Sequence, residues 1–216
     1  MPTFGDFAMT MKTVFTAAAL ATLAFAGAAS AATTYTFEGL PTIAPIANGY
    51  AGLSWHNIYV LNANTYSGNP SGYHNAIVSG DNVAFNAFAS PGSFTSATPF
   101  SLVSFFLNAA WNDGVTVNLV GKLAGVTVHS TSFLVNTAGP VLHTFNWSNI
   151  DEVDLASSGG THHAGYPGGG SHVALDNLTL SAGTPEPMAW TLMVLGMGAI
   201  GGALRTRTSR TASAES

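Results

Sequence analysis

The sequence predicts an all-β fold, an antiparallel β-sandwich of the jelly-roll type, flanked by an N-terminal signal peptide and a single C-terminal transmembrane helix. Three observations support this prediction. Residues 33–181 alternate apolar and polar side chains and show almost no helical periodicity. Turn signals built from Gly, Asn, Asp and Pro separate the alternating stretches. Both ends of the chain carry an apolar run next to basic residues.

The predicted domain covers residues 32–181 and contains about nine short strands, a number typical of antiparallel sandwiches. Turn signals such as Gly80-Asp81 separate these strands, and we expect Asp113-Gly114 to form a tight hairpin turn. The expected strands are 34–37, 53–61, 82–88, 100–107, 115–120, 126–134, 141–147, 152–156 and 173–180.

The distribution of charge limits the partners of this domain. Charged residues make up 7% of the 216 residues, whereas about 25% is typical of soluble domains. Between residues 32 and 184 the sequence has one basic residue, Lys122, against seven acidic ones. Because phosphate binding needs clustered Lys and Arg, this acidic balance argues against nucleic acid as a partner. The chain has no cysteine, which excludes disulfides and thiolate metal sites.

Residues 1–31 have the features of a signal peptide for export through the Sec translocon. Lys12 supplies the positive region, 14–26 form the apolar run, and Ala-Ser-Ala at 29–31 is a small-x-small cleavage site. We therefore expect the mature chain to begin at Ala32. Met11 is an alternative start, and an uncleaved membrane anchor is the alternative interpretation of the apolar run.

The C-terminal region has three parts in order. Residues 182–187 form a linker, 188–204 form an apolar segment without charge, and 205–216 form a basic tail. As a helix the apolar segment would be about 25 Å long, which is near the short limit for a membrane span. The positive-inside rule places the basic tail in the cytoplasm and the domain outside.

The order of these parts resembles the PEP-CTERM sorting signal, in the subtype with Trp three residues after the second proline. The residues that carry the resemblance are Pro185, Glu186, Pro187, Trp190, Arg205 and Arg207. The family implies an exosortase partner that cleaves near Pro-Glu-Pro. It also implies a transient stay in the inner membrane, followed by the cell surface or extracellular matrix of a Gram-negative, exopolysaccharide-producing bacterium. Threonines interrupt the basic tail here, and a permanent anchor is the alternative.

A second resemblance concerns the two ends of the domain. Thr36-Phe37-Glu38 at its start and residues 174–180 at its end are similar to jelly-roll modules of exported bacterial proteins, including many carbohydrate-binding modules. The resemblance implies that the first and last strands are neighbours, so that Glu38 and Asp176 approach each other and hold a structural Ca²⁺ together with backbone carbonyls. The alternative is that Asp176 caps a strand end and Glu38 is solvated.

Two aromatic loops are candidate ligand-binding sites, because sugar rings stack on exposed aromatic faces while polar side chains supply hydrogen bonds. The alternative for the tryptophans is that they fill the core. The predicted binding residues are Tyr66, Tyr73 and His74 in one loop and Trp111, Asn112 and Asp113 in the other.

No constellation in the sequence favours catalysis. The carboxylates Asp151, Glu152 and Asp154 are local to one strand, which is more typical of a solvated edge than of a glycosidase pair. His162 and His163 are adjacent in a predicted Gly-rich loop, without zinc-protease spacing. We therefore predict an exported, non-enzymatic surface or matrix protein that binds exopolysaccharide. The alternative is a secreted glycan-active hydrolase.

Overall fold

Antiparallel strands build the domain in the computed structural model, which describes residues 31–183 and 194–198. A four-residue helix, α1 (Gly72–Asn75), and short 3-10 turns at Tyr50–Gly52 and Ala87–Ala89 lie between them. The strands are β1 (Thr33–Tyr35), β2 (Ala44–Pro45), β3 (Ser54–His56), β4 (Ile58–Asn62), β5 (Asn82–Asn86), β6 (Gly92–Ala109), β7 (Asn112–Leu123), β8 (Val126–Val135), β9 (Val141–His162) and β10 (Val173–Ala182).

The strands follow the order β2-β4-β5-β10-β6-β9-β7-β8, with β1 added to β10 and β3 added to β6. The long strands β6 and β9 each take part in two layers. Residues 100–107 of β6 pair with 141–150 of β9 and, with β10, β5, β4 and β2, form the first sheet. Residues 92–95 of β6 pair with 152–155 of β9 in the second sheet, which β3, β7 and β8 complete. The predicted antiparallel β-sandwich is confirmed, and its jelly-roll connectivity stays a prediction.

Bulges allow β9 to cross from one sheet to the other. The pairing of β6 with β9 shifts register at several points between Thr95 and Ser104. In β9 itself, Asn146 and Asn149 adopt left-handed backbone angles, with φ of 51° and 56°. Such bulges bend a strand without ending it. The separate strands predicted at 141–147 and 152–156 are therefore one strand.

The core lies between the two sheets and follows the period-2 pattern of the sequence. In β7 the side chains of Val115, Val117 and Leu119 are fully buried, while the intervening Asn118 is exposed. Large side chains from both layers meet them, including Phe105. Burying each such side chain contributes about 1.5–3 kcal/mol, so this alternation fixes the register of the second sheet.

Further local predictions were wrong. Asp113-Gly114 makes no hairpin turn, because β9 lies between β6 and β7 and the chain crosses over at Ala110-Trp111. In the predicted Gly-rich loop, His162 still belongs to a strand, because β9 stays paired with β7 as far as this residue. The predicted strand 82–88 ends at Asn86, where the backbone turns into the 3-10 segment.

The predictions for the chain ends fall almost entirely outside the described residues. These are the signal peptide and the sorting-motif residues Pro185, Glu186, Pro187, Trp190, Arg205 and Arg207. Of the predicted transmembrane segment 188–204, residues 194–198 are described and are helical. Within 31–183 and 194–198, no helix has the length and apolar character needed to cross a membrane.

Candidate functional site

A groove of about 400 Å³ crosses the outer face of the first sheet. It exists because β4 and β5 carry apolar side chains on both faces. Val60 points into the core between the sheets, whereas Tyr59 and Phe85 belong to the outer side. Half-buried aromatic side chains and one wall of glycine backbone line the groove. The lining includes Ile43, Tyr59, Tyr66, Phe85, Phe88, Trp111 and His172. We call this feature the aromatic groove.

Three aromatic rings form the base of the aromatic groove at one end. The Tyr66 and Tyr73 ring centroids lie 5.5 Å apart, and those of Tyr73 and Trp111 lie 5.4 Å apart, both edge to face. Tyr73 and Trp111 are 2% and 5% exposed, so they lie beneath the groove surface and support it. Tyr66 is half-buried and faces the groove.

Two strained residues form the rim. Phe88 is 78% exposed and Ile43 is 61% exposed, and both have left-handed backbone angles, with φ of 58° and 52°. Bulky and β-branched residues avoid this region, and such strain costs about 1–3 kcal/mol per residue. The Phe88 ring lies 6.1 Å from that of Tyr59, edge to face. The fold thus holds a large apolar ring in water at a conformational cost, which is typical of a binding site.

Asn57 holds the backbone of the Phe88 segment in place. Its Nδ2 donates to the carbonyl oxygens of Ala87, Ser90 and Pro91 at 3.1, 3.3 and 2.9 Å. Its own carbonyl accepts from the Ala87 N–H at 3.1 Å. Carbonyls on both sides of Phe88 are therefore tied to one side chain, which explains how the left-handed conformation persists.

The Gly-rich segment after β9 closes the other side of the aromatic groove. Gly168 packs against the indole of Trp111 so closely that a Cβ at this position would lie 2.5–2.7 Å from ring atoms. Glycine is required for that approach. His172 stands beside it, and burial lowers the pKa of its imidazole, which is therefore neutral at pH 7.

A hydrogen-bonded cluster fastens the same segment to the start of β7. The Asp113 carboxylate accepts from the Thr137 N–H and hydroxyl at 2.8 Å, and its Oδ2 lies 2.7 Å from Nδ1 of His163. These bonds, first that of His163, hold the pKa of Asp113 below its usual range. Tyr166 packs on the His163 ring, with centroids 4.3 Å apart. The cluster anchors the segment that covers Trp111.

The structure brings together some of the predicted binding residues and not others. Tyr66, Tyr73 and Trp111 meet at the base of the aromatic groove. His74 is exposed on α1 and lies outside the groove lining. Asn112 and Asp113 open β7, where Asn112 donates to the carbonyl of Gly159 in β9 and Asp113 accepts from Thr137 in the loop after β8. The core alternative holds in part, because Trp111 and Trp147 are buried.

Glu38 and Asp176 lie near the same turn because β1 and β5 both border β10. Asp176 is fully buried, and its Oδ2 accepts from the N–H groups of Val78 and Ser79 at 2.8 and 3.0 Å. Oε1 of Glu38 accepts from the N–H groups of Asp81 and Asn82. Burial raises the pKa of Asp176, and the nearby Glu38 charge adds to that effect. Both carboxylates therefore organise the 78–82 turn.

This geometry fits a calcium ion poorly. Ca²⁺ needs about six to eight oxygen ligands, and both oxygens of Asp176 already accept backbone N–H bonds. Within the described residues no group of three or more His, Asp or Glu side chains converges as a metal site would require. The calcium site stays a prediction, which a melting-temperature shift on adding Ca²⁺ or EGTA tests.

The three local carboxylates of β9 have structural contacts. Glu152 and Asp154 point to the same side, where Lys122 Nζ lies 3.0 and 2.5 Å from them. Asp151 accepts from the Ala124 N–H at 2.8 Å. All three lie within four residues of one strand, whereas the two carboxylates of a glycosidase flank the scissile bond from opposite sides.

The sequence interpretation missed Ile43, Tyr59, Phe85 and Phe88 as groove residues. The available signal was the presence of apolar side chains at both alternating sets of positions in β4 and β5. Such strands are covered on both faces or bind something on one of them.

Among solved structures, a DUF4465 family protein from Bacteroides caccae matches at a TM-score of 0.53 and 13% identity, over 71% of this chain and all of that one. This match shows a shared fold. TmCBM61 in complex with beta-1,4-galactotriose matches at a TM-score of 0.34 and 13% identity, over 62% of this chain and 93% of the module.

The tandem CBM22 domains of Paenibacillus barcinonensis Xyn10C match at a TM-score of 0.40 and 12% identity, over 74% of this chain and 48% of theirs. Neither carbohydrate-binding structure is similar enough to support a conclusion about this chain. No protein-family model matches, and the search of curated proteins found no significant relative. The sorting-signal resemblance therefore stays a prediction.

Proposed function

We propose that this protein is an exported, non-enzymatic surface or matrix protein whose domain binds a neutral polysaccharide in the aromatic groove. The observation that carries the proposal is Phe88, a strained and 78% exposed ring held beside Tyr59. A protein gains nothing in stability from such an arrangement. It gains a fixed apolar surface for a ligand.

The chemistry of the aromatic groove suits sugars. Sugar rings present C–H faces that pack on aromatic rings, and their hydroxyls bond to tyrosine hydroxyls and to imidazole. Tyr59, Tyr66 and His172 supply those polar groups beside the rings of Phe85 and Phe88. The volume of about 400 Å³ falls within the usual range for ligand sites of about 300–1,000 Å³.

The charge pattern favours a neutral chain over an acidic one. Among the described residues Lys122 is the one Lys or Arg, and it is occupied by Glu152 and Asp154 in the second sheet. An acidic polysaccharide would find no cation in the groove to offset the desolvation of its carboxylates. The predicted export and sorting signals would deliver such a domain to the compartment where exopolysaccharide accumulates.

Glycan-array binding followed by calorimetry tests the proposal. The full chain is exported by an expression host and purified in mild detergent, and we expect it to bind neutral glycans. The double variant Tyr59→Ala/Phe88→Ala should bind at least about tenfold more weakly, because two stacking rings are lost.

The matched control is Val141→Ala, which removes another exposed apolar side chain that does not line the groove. Equal losses in both variants, or selective binding of acidic glycans, would contradict the proposal. Release of shortened glycan that stops in Asp154→Ala would support the hydrolase alternative instead.

A further inference from the structure

The two ends of the strand order differ in how they meet solvent. At one end, β2 has 2 residues and includes Pro45, which cannot donate a backbone hydrogen bond. At the other end, β8 has 10 residues and pairs with β7 alone among the described strands. Proteins normally protect edges with short strands, lysine or proline. The β2 edge has that protection, whereas the β8 edge does not.

The middle of β8 is regular and carries no formal charge. A register shift opposite Gly121 and Lys122 ends the regular pairing on one side, so residues 129–135 form an uninterrupted ladder with β7. This stretch reads HSTSFLV and contains no Lys, Asp, Glu, Pro or Gly. Ser130, Ser132 and Leu134 are exposed on its outer face, and Leu134 is 67% exposed.

Aromatic stacking supports the inner face of this edge. The Phe133 ring lies 4.0 Å from that of His143, and the His129 ring lies 5.2 Å from that of Trp147. These contacts hold β8 against β9 in the first sheet, so a partner strand would meet an ordered edge. The edge therefore has the order and the unpaired backbone groups that strand addition needs.

We propose that two copies of this protein associate through antiparallel pairing of their β8 strands, about a two-fold axis at Ser132. An axis at Ser132 pairs the whole stretch 129–135 with itself. Ser130 then faces Leu134 on the outer side, and Thr131 faces Phe133 on the inner side. In an isologous pair each of these contacts occurs twice, once on each side of the axis, and only Ser132 on the axis meets its own copy. A charged edge would repel itself, and this edge carries no charge to do so.

Sedimentation velocity of the full chain, exported and purified in mild detergent, tests the association. We expect a dimer, and we expect Ser132→Lys to weaken dimerisation at least about tenfold, because two ammonium groups would stand directly opposite each other. Asn118→Lys is the matched control, because Asn118 is the direct partner of Ser132 in β7 and is exposed on the same face. A monomeric parent, or equal behaviour of the two variants, overturns the proposal.

Disulfide trapping tests the register independently. The chain has no cysteine, so a single substitution introduces the one thiol. Opposed residues of antiparallel strands have Cα atoms about 4.5–5.5 Å apart, which a disulfide can bridge. Ser132→Cys should form a covalent dimer under mild oxidation, and Asn118→Cys should not. Trapping by Asn118→Cys alone, or by neither variant, overturns the register.

Discussion

The aromatic groove and the β8 edge both expose apolar atoms to water, but they do so in opposite ways. At the groove, the side chains of Phe88 and Ile43 stand out on strained backbone, and hydrogen bonds from Asn57 hold the Phe88 segment. At the β8 edge, the backbone is regular and the exposed feature is its own unpaired N–H and C=O groups. The first arrangement suits a ligand that stacks on aromatic rings. The second suits another strand.

At both surfaces, polar residues determine what the exposed apolar atoms can contact. Asn57 bonds three carbonyls around Phe88 and so converts a flexible turn into a fixed rim. The serines of β8 keep the outer face of this edge polar without adding charge, so that a second strand can still approach.

The largest expected effect is a loss of stability, which should differ between substitutions at the adjacent glycines Gly168 and Gly169. Gly168→Ala places a Cβ within 2.7 Å of the indole, whereas Gly169 has open space. We expect Gly168→Ala to lower the free energy of unfolding by about 1–3 kcal/mol, because the segment must move off the ring. Urea titration measures the loss, and a red shift of tryptophan fluorescence reports the exposure of Trp111. Gly169→Ala is the control, and equal losses in the two variants would contradict the packing argument.

Asn57 supports the Phe88 segment but does not line the groove, so replacing Asn57 should reduce ligand binding indirectly. Asn57 itself has a left-handed backbone, with φ of 51°, so Asn57→Gly removes the amide while keeping that conformation accessible. We expect glycan affinity to fall about tenfold, and stability by about 1–2 kcal/mol for the lost hydrogen bonds. Asn64→Ala, which removes one long bond of 3.4 Å, should change neither. Full affinity in Asn57→Gly would show that Phe88 needs no support.

The two surfaces should act independently, because they lie on different sheets. We expect Ser132→Lys to bind glycan with the affinity of the parent, and Phe88→Ala to dimerise like the parent. Calorimetry and sedimentation velocity, each applied to both variants, measure the coupling. A loss of glycan binding in Ser132→Lys would mean that the groove depends on the dimer.

The smallest expected effect is a pH dependence at the cluster beside the aromatic groove. The pKa of Asp113 is lowered in the folded state, first by His163 and then by Thr137. Its contribution to stability is therefore fully present above the unfolded pKa of about 3.9 and is lost as pH falls through the lower folded value. The melting temperature of Asp113→Asn should lie below that of the parent at pH 7, and the gap should close in acid. A gap independent of pH would contradict this origin.

The sequence was sufficient for the strands whose burial follows a strict period of two. Val115, Val117 and Leu119 predicted β7 because each second side chain enters the core. It was insufficient where a residue takes a backbone conformation that its type disfavours. Phe88 lies in the short apolar run Ala87-Phe88-Ala89, so nothing local indicates a left-handed turn there. Asn149 is as typical of a turn as of a bulge, and only pairing with distant strands decides between them.

The candidate site was predictable only in part. Tyr66 and Trp111 could be recognised as aromatics in loops, and loops gather at the two ends of a sandwich. Their meeting depends on the crossover at Ala110-Trp111, which follows from β9 lying between β6 and β7. That strand order rests on contacts far apart in the sequence, which local patterns do not contain.

The continuity of β9 has a consequence for how the domain comes apart. One strand of 22 residues supplies ladder bonds to β6 in one layer and to β7 in the other. Neither layer can melt while the other keeps β9 in place without breaking that strand at its bulges. The sandwich should therefore unfold in a single cooperative step, and the amide hydrogens of β9 should exchange with solvent only when the whole domain opens.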